Sequence, residues 1–129
     1  MIRALVVDDS DIVRKYVRTV LEFRGDVVVC AEAVNGKDGI AKALQYQPDL
    51  VILDLTMPVM DGFTAAAELR KQLPELPILF CSIHDGAEVV RQAKQVGGRG
   101  YVEKDHILEL PDAVDAVIFQ KTTYFQPEA

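Results

Sequence analysis

The chain alternates between two hydrophobic periods. Ile2 to Val7 is a β-branched run of strand length. From Asp11 the period becomes helical. Ile12, Val13, Tyr16, Val17, Val20 and Leu21 recur on one face, and Arg14, Lys15, Arg18 and Glu22 on the other. Ser10 or Asp11 is placed to cap this helix and Gly25 to end it. Residues 27–31 read as a second strand. Asn35-Gly36 opens a second helix to about Tyr46, with Ile40, Ala43 and Leu44 inward, and Pro48 ends it. Leu50 to Leu53 is continuously apolar, the pattern of a strand buried on both faces. A loop, 54–61, leads to a helix over 62–73. A strand over 78–81, a helix over 87–96, a strand over 100–103 and a last helix over about 109–119 follow. Residues 120–129 are polar, with one Pro, and read as a tail or the start of a linker.

Five strands alternating with five helices through short loops predict an α/β fold with a doubly wound parallel sheet. The 129 residues are one domain's worth and bury a single core. No apolar run approaches the roughly 20 residues of a membrane span. Acids interrupt the first apolar stretch at Asp8, too early for a signal peptide. The net charge of −6 disfavours non-specific nucleic-acid or anionic-membrane binding. Cys30 and Cys81 sit in apolar contexts, far apart and without a C-x-x-C, so two buried free thiols in a reducing, cytoplasmic setting are expected.

In such folds chemistry gathers at the carboxyl ends of the strands. The first strand runs into Asp8 and Asp9, the third into Asp54, the fourth into Ser82 and the fifth into Lys104. Taken singly, each has a plain reading as a cap, a turn hydroxyl or a solvated lysine. Brought to one edge, three carboxylates repel unless a cation sits among them. A hard divalent ion, Mg²⁺ or Mn²⁺, suits that set and leaves room for a phosphoryl oxygen. Asp54 is then the best nucleophile toward phosphorus, with Asp8 and Asp9 better placed as metal ligands.

These residues resemble the receiver domain of two-component response regulators. The resemblance rests on Leu5-Val6-Val7-Asp8-Asp9-Ser10, Asp54-Leu55-Thr56-Met57-Pro58-Val59-Met60-Asp61-Gly62, Pro77-Ile78-Leu79-Phe80-Cys81-Ser82 and Gly100-Tyr101-Val102-Glu103-Lys104. It covers residues 1 to about 119 and implies the flavodoxin-like receiver fold. It implies that Asp54 is the phosphoacceptor and Lys104 the phosphate-pairing lysine. Ser82 matches the switch hydroxyl and Tyr101 the switch aromatic, which turns inward on phosphorylation. Asp8, Asp9, Asp54 and the backbone carbonyl of Thr56 are the implied Mg²⁺ ligands. The implied phosphodonor is a sensor histidine kinase or phosphotransfer protein. Output to a downstream protein, or to a second copy, is expected through the surface of residues 86–119.

Asp105 follows Lys104 where many family members carry Pro. Lys-Asp, a strand-end Ser and a tail like Thr122-Thr123-Tyr124-Phe125-Gln126-Pro127 resemble the subfamily with a helix-turn-helix output domain. Both a stand-alone regulator and an amino-terminal receiver of a transcriptional regulator fit. Two rivals remain. One is a Mg²⁺-dependent phosphohydrolase with an aspartyl nucleophile, although Thr56 stands where such enzymes usually place an acid/base Asp. The other is a constitutive interaction module, against which the full acid, hydroxyl and lysine set argues. His84, two past Ser82, either tunes phosphoryl loss to water or is a plain loop histidine. Arg14, Lys15 and Arg18 form either a phosphodonor-docking edge or a solvated helix face.

Overall fold

The computed structural model describes residues 1–84 and 86–125. In chain order its elements are β1 (Ile2–Val7), α1 (Asp11–Glu22), β2 (Val27–Ala33), α2 (Gly36–Tyr46), β3 (Leu50–Leu53) and α3 (Gly62–Gln72). Then come β4 (Ile78–Ser82), α4 (Ala87–Gln95), β5 (Gly100–Glu103), a 3-10 segment (Lys104–Glu109), α5 (Leu110–Ile118) and β6 (Tyr124–Phe125). The sheet order is β2-β1-β3-β4-β5-β6, and every pairing is parallel. The order reverses between β1 and β3, which puts the carboxyl ends of those strands at the switch point where such folds bind ligands.

The helix starts are written in local chemistry. Ser10 caps α1, its hydroxyl accepting from the Val13 amide at 3.3 Å. Asn35 and Asp61 cap α2 and α3 in the same way, each with a carbonyl or carboxylate oxygen 2.8 Å from an amide three residues on. Leu50, Val51, Ile52 and Leu53 are all at most 2% exposed. That fits a central strand covered on both faces, where each buried aliphatic contributes about 1.5–3 kcal/mol. One core layer packs α1 and α5 residues such as Leu21 and Val114 against Ile52 and Val102. The other packs Ala65, Leu69 and Ala93 against Leu53, Phe80 and Tyr101.

Three features depart from the sequence pattern. The buried stripe of α1 is Arg14, Val17, Val20 and Leu21, while Ile12 and Tyr16 face solvent. Arg14 goes inward because two acceptors await it there: the Asp8 carbonyl at 2.7 Å and Glu32 at 2.9 Å. On α2, Ala43 is buried but Leu44 is exposed. The third is β6, a short sixth strand formed by Tyr124 and Phe125 in the segment expected to be a polar tail. Residues 126–129 of that segment lie outside the described residues. No described peptide bond is cis, the Lys104-Asp105 bond included.

Candidate functional site

Asp8 and Asp9 follow β1, and Asp54 follows β3, its neighbour in the sheet. Carboxylate oxygens of the three lie within 4.8 Å of one another. Asp8 and Asp54 are buried and Asp9 is exposed, so the cluster has a closed floor and an open side. Each buried carboxylate is held from below by the backbone. The Ser10 amide donates to Asp8 at 2.9 Å, and the Leu55 amide donates to Asp54 at 2.8 Å.

Lys104 comes from the far side of the sheet, just after β5, and its ammonium reaches between the two buried acids. Its Nζ lies 2.8 Å from Asp8 and 3.3 Å from Asp54. Burial pushes the Asp54 carboxyl above the ordinary carboxylate range, and the Asp8 charge adds to that push. Lys104 and the Leu55 amide oppose it without cancelling it. Burial works against the Lys104 charge, but the two carboxylates outweigh it and hold its pKa above the usual lysine range. One cation beside three carboxylates leaves the site electronegative, ready for a further cation.

Ser82 ends β4 fully buried, and its hydroxyl accepts from the His84 amide at 3.4 Å. Tyr101, on β5, is also fully buried, and its hydroxyl donates to the His84 carbonyl. Thr56 is exposed. Its hydroxyl meets the His84 ring nitrogen at 2.6 Å. The 54–61 loop is drawn close to α3 by Gly62. A Cβ there would collide with the Asp54 carbonyl and stand 2.8 Å from the Leu55 Cα, so a larger residue would displace Asp54 itself.

Over residues 4–115 the chain matches the response regulator receiver domain. It belongs to that family. Among solved structures, the receiver is similar to a LuxR-family two-component response regulator from Aurantimonas sp. SI85-9A1. The TM-score is 0.93 with 31% identity, over 98% of this chain and 91% of that one. It is also similar to the response regulator domain of Thermotoga maritima CheB, with TM-score 0.78 and 26% identity over 94% of this chain and 92% of that one. A protein-glutamate methylesterase/protein-glutamine glutaminase of Pseudomonas aeruginosa is 34% identical over 123 residues, 93% of this chain and 33% of that protein. The receiver thus spans about a third of the length of the curated relatives it matches.

Lys104 is in direct contact with Asp8 and Asp54, Asp9 lies within 4.8 Å of both, and Ser82 and Tyr101 are joined to each other through the His84 backbone. Within the basic edge of α1, Lys15 faces solvent while the two arginines are paired. Arg14 is buried, and both Arg14 and Arg18 pair with Glu32 on β2. The role of Arg14 in fixing the Asp8 carbonyl went unread in the sequence. Its spacing of three and seven from Val17 and Leu21 was the available signal.

Proposed function

We propose that Asp54 accepts a phosphoryl group from a phosphohistidine donor and that this converts the receiver to its signalling state. The observation that carries the reading is the Asp8, Asp9 and Asp54 cluster with Lys104 set between the two buried members. An Asp54 oxygen attacks phosphorus as the phosphorus–nitrogen bond to the donor imidazole breaks. The electron pair stays on that ring nitrogen, which takes up a proton. Lys104 neutralises one phosphoryl oxygen, and the Ser82 hydroxyl donates to another.

The donor set fits Mg²⁺, being all hard oxygen and already short of positive charge. Asp8, Asp9, Asp54 and the Thr56 carbonyl would hold the ion, and Mn²⁺ would suit the same set. When bound, it neutralises the carboxylates and a phosphoryl oxygen.

The phosphodonor, a sensor histidine kinase or phosphotransfer protein, is proposed to dock over the acid site. Four large aliphatics rise around that edge of the sheet: Ile12, Val59, Ile83 and Leu108, each at least 74% exposed. They follow β1, β3, β4 and β5 in turn. Such a collar buries apolar area on contact and excludes water from the transfer. Output is proposed to pass through the surface of residues 86–119 to a downstream protein or a second copy. A cytoplasmic setting belongs to this reading, because ATP-fed histidine donors work there.

Intact mass after incubation with acetyl phosphate and Mg²⁺ tests the reading. One phosphoryl adduct on the wild type, and none on Asp54→Asn or with EDTA, is the expected result. An adduct surviving in Asp54→Asn would overturn it.

A further inference from the structure

The C-terminal segment does not leave the domain after α5. It turns back over the end of the helix, the Thr122 amide donating to the Ala116 carbonyl, and adds β6 to the edge of β5. Lys121, in the turn, adopts a left-handed φ of 52°. The strand is only two residues long, yet it is anchored on both faces of the sheet. Tyr124 packs toward the α5 layer, and its hydroxyl donates to Glu109 at 2.7 Å. Phe125 packs toward the α4 layer, beneath the Lys94 ammonium at 4.9 Å from the ring centre. Gly100 makes room for it, since a Cβ there would stand 2.6 Å from the Tyr124 carbonyl.

The register pairs Phe125 with Tyr101. Both side chains lie in the same core layer, on strands about 4.8 Å apart. Tyr101 is buried here, with its hydroxyl on the His84 carbonyl. A swing of its ring outward over the β5 edge would sweep into the place that Phe125 holds. The structure shows docked β6 together with inward Tyr101, and an outward ring would have to share the β5 edge with Phe125.

We propose that the β5 edge, between Lys94 and Glu109, is a strand-docking surface whose resident ligand is this chain's own Tyr124–Phe125, and that its occupancy is coupled to the inward position of Tyr101. The link to phosphorylation rests on the reading of Asp54 as phosphoacceptor. The coupling of strand to tyrosine does not. Linkage makes the effect reciprocal: whatever draws Tyr101 inward tightens β6, and removing β6 weakens whatever needs Tyr101 inward. A partner using the same face must displace this strand.

The test uses the full chain with fluorotyrosine labels, the Tyr101 signal being assigned by Tyr101→Phe. Phe125→Ser leaves the edge strand without its anchor. It should move the Tyr101 fluorine signal toward the solvent position, and Lys94→Gln should do so more weakly. Beryllofluoride with Mg²⁺ should slow amide exchange in residues 120–125 by fivefold or more, and Phe125→Ser should weaken beryllofluoride binding by a similar factor. An unmoved Tyr101 signal in a folded Phe125→Ser protein would overturn the coupling. A moved signal, with no acetyl-phosphate adduct on Asp54, would keep the coupling and overturn the phosphoacceptor reading. A moved signal and an Asp54 adduct, with β6 exchange unchanged by beryllofluoride, would overturn the link to phosphorylation alone.

Discussion

The Thr56 hydroxyl and the His84 imidazole meet at 2.6 Å, joining the loop after β3 to the loop after β4. Thr56 stands two residues past Asp54 and His84 two past Ser82, so the bridge crosses the mouth of the proposed site. His84 also gives its amide to Ser82 and accepts the Tyr101 hydroxyl at its carbonyl. If Asp54 carries the proposed phosphoryl group, cutting the bridge would open a route for water to it. His84→Ala should shorten the lifetime of the Asp54 adduct by roughly threefold to tenfold, the scale of one hydrogen bond. Thr56→Val should do the same, and the double variant should add little, because one contact is lost in each case. The half-life of the phosphoryl adduct by intact mass is the readout.

Removing the charge on Asp54 should stabilise the domain. Burial and the neighbouring Asp8 raise this carboxyl above its ordinary range. The folded state therefore binds the proton more tightly than the unfolded chain. The stability tied to that proton is present below the unfolded-state pKa and lost as pH rises through the folded one. At neutral pH the ionised Asp54 is a standing cost. Asp54→Asn should raise stability at pH 7 by about 1–3 kcal/mol, a melting shift of a few degrees. The gain should shrink as pH falls below the raised folded value, which urea titrations at several pH values would follow.

Lys104 and a divalent cation compete for the same oxygens. The ammonium already lies 2.8 Å from Asp8 and 3.3 Å from Asp54. Lys104→Ala should therefore bind Mg²⁺ more tightly, by roughly tenfold for one like charge removed from a half-screened site. The same variant should lose most phosphorylation, because no ammonium remains for the incoming oxygen. It should also be less stable without Mg²⁺, by about 1–3 kcal/mol, as three carboxylates are left uncompensated. Calorimetric Mg²⁺ titration and urea melts with and without the ion would separate the effects.

Much of this was legible from spacing. The strands over β1, β3 and β5 keep their expected bounds, and for β3 the reason is a continuous apolar run that must be buried on both faces. The acids, Ser82 and Lys104 share one edge because each ends or follows a strand of a parallel sheet, and there Lys104 reaches Asp8 and Asp54. Features that depend on a partner far along the chain were hidden. Arg14 looks like a surface residue until Glu32 and the Asp8 carbonyl are seen opposite it. Tyr124 and Phe125 look like a tail because two residues carry no period. Only the open edge of β5 makes them a strand.

Val59 holds a left-handed backbone, with φ 70°, and its side chain is 77% exposed. That conformation crowds the Cβ of any L-residue, by roughly 1–2 kcal/mol, and a β-branched side chain suffers most. The Met60 amide closes the turn by donating to the Pro58 carbonyl at 2.7 Å, but the exposed Val59 side chain contributes little to the core. Asn tolerates the same dihedrals through local hydrogen bonding of its side chain. Val59→Asn should therefore stabilise the domain by about 1 kcal/mol and raise the melting temperature by a few degrees. It would also take one aliphatic out of the collar around the site. Transfer from a small donor such as acetyl phosphate, which needs no docking surface, should be unchanged. Transfer from a phosphohistidine protein should slow. A wild-type rate from the phosphohistidine protein would show that Val59 takes no part in docking, and unchanged melting would show that the backbone strain is relieved elsewhere in the loop.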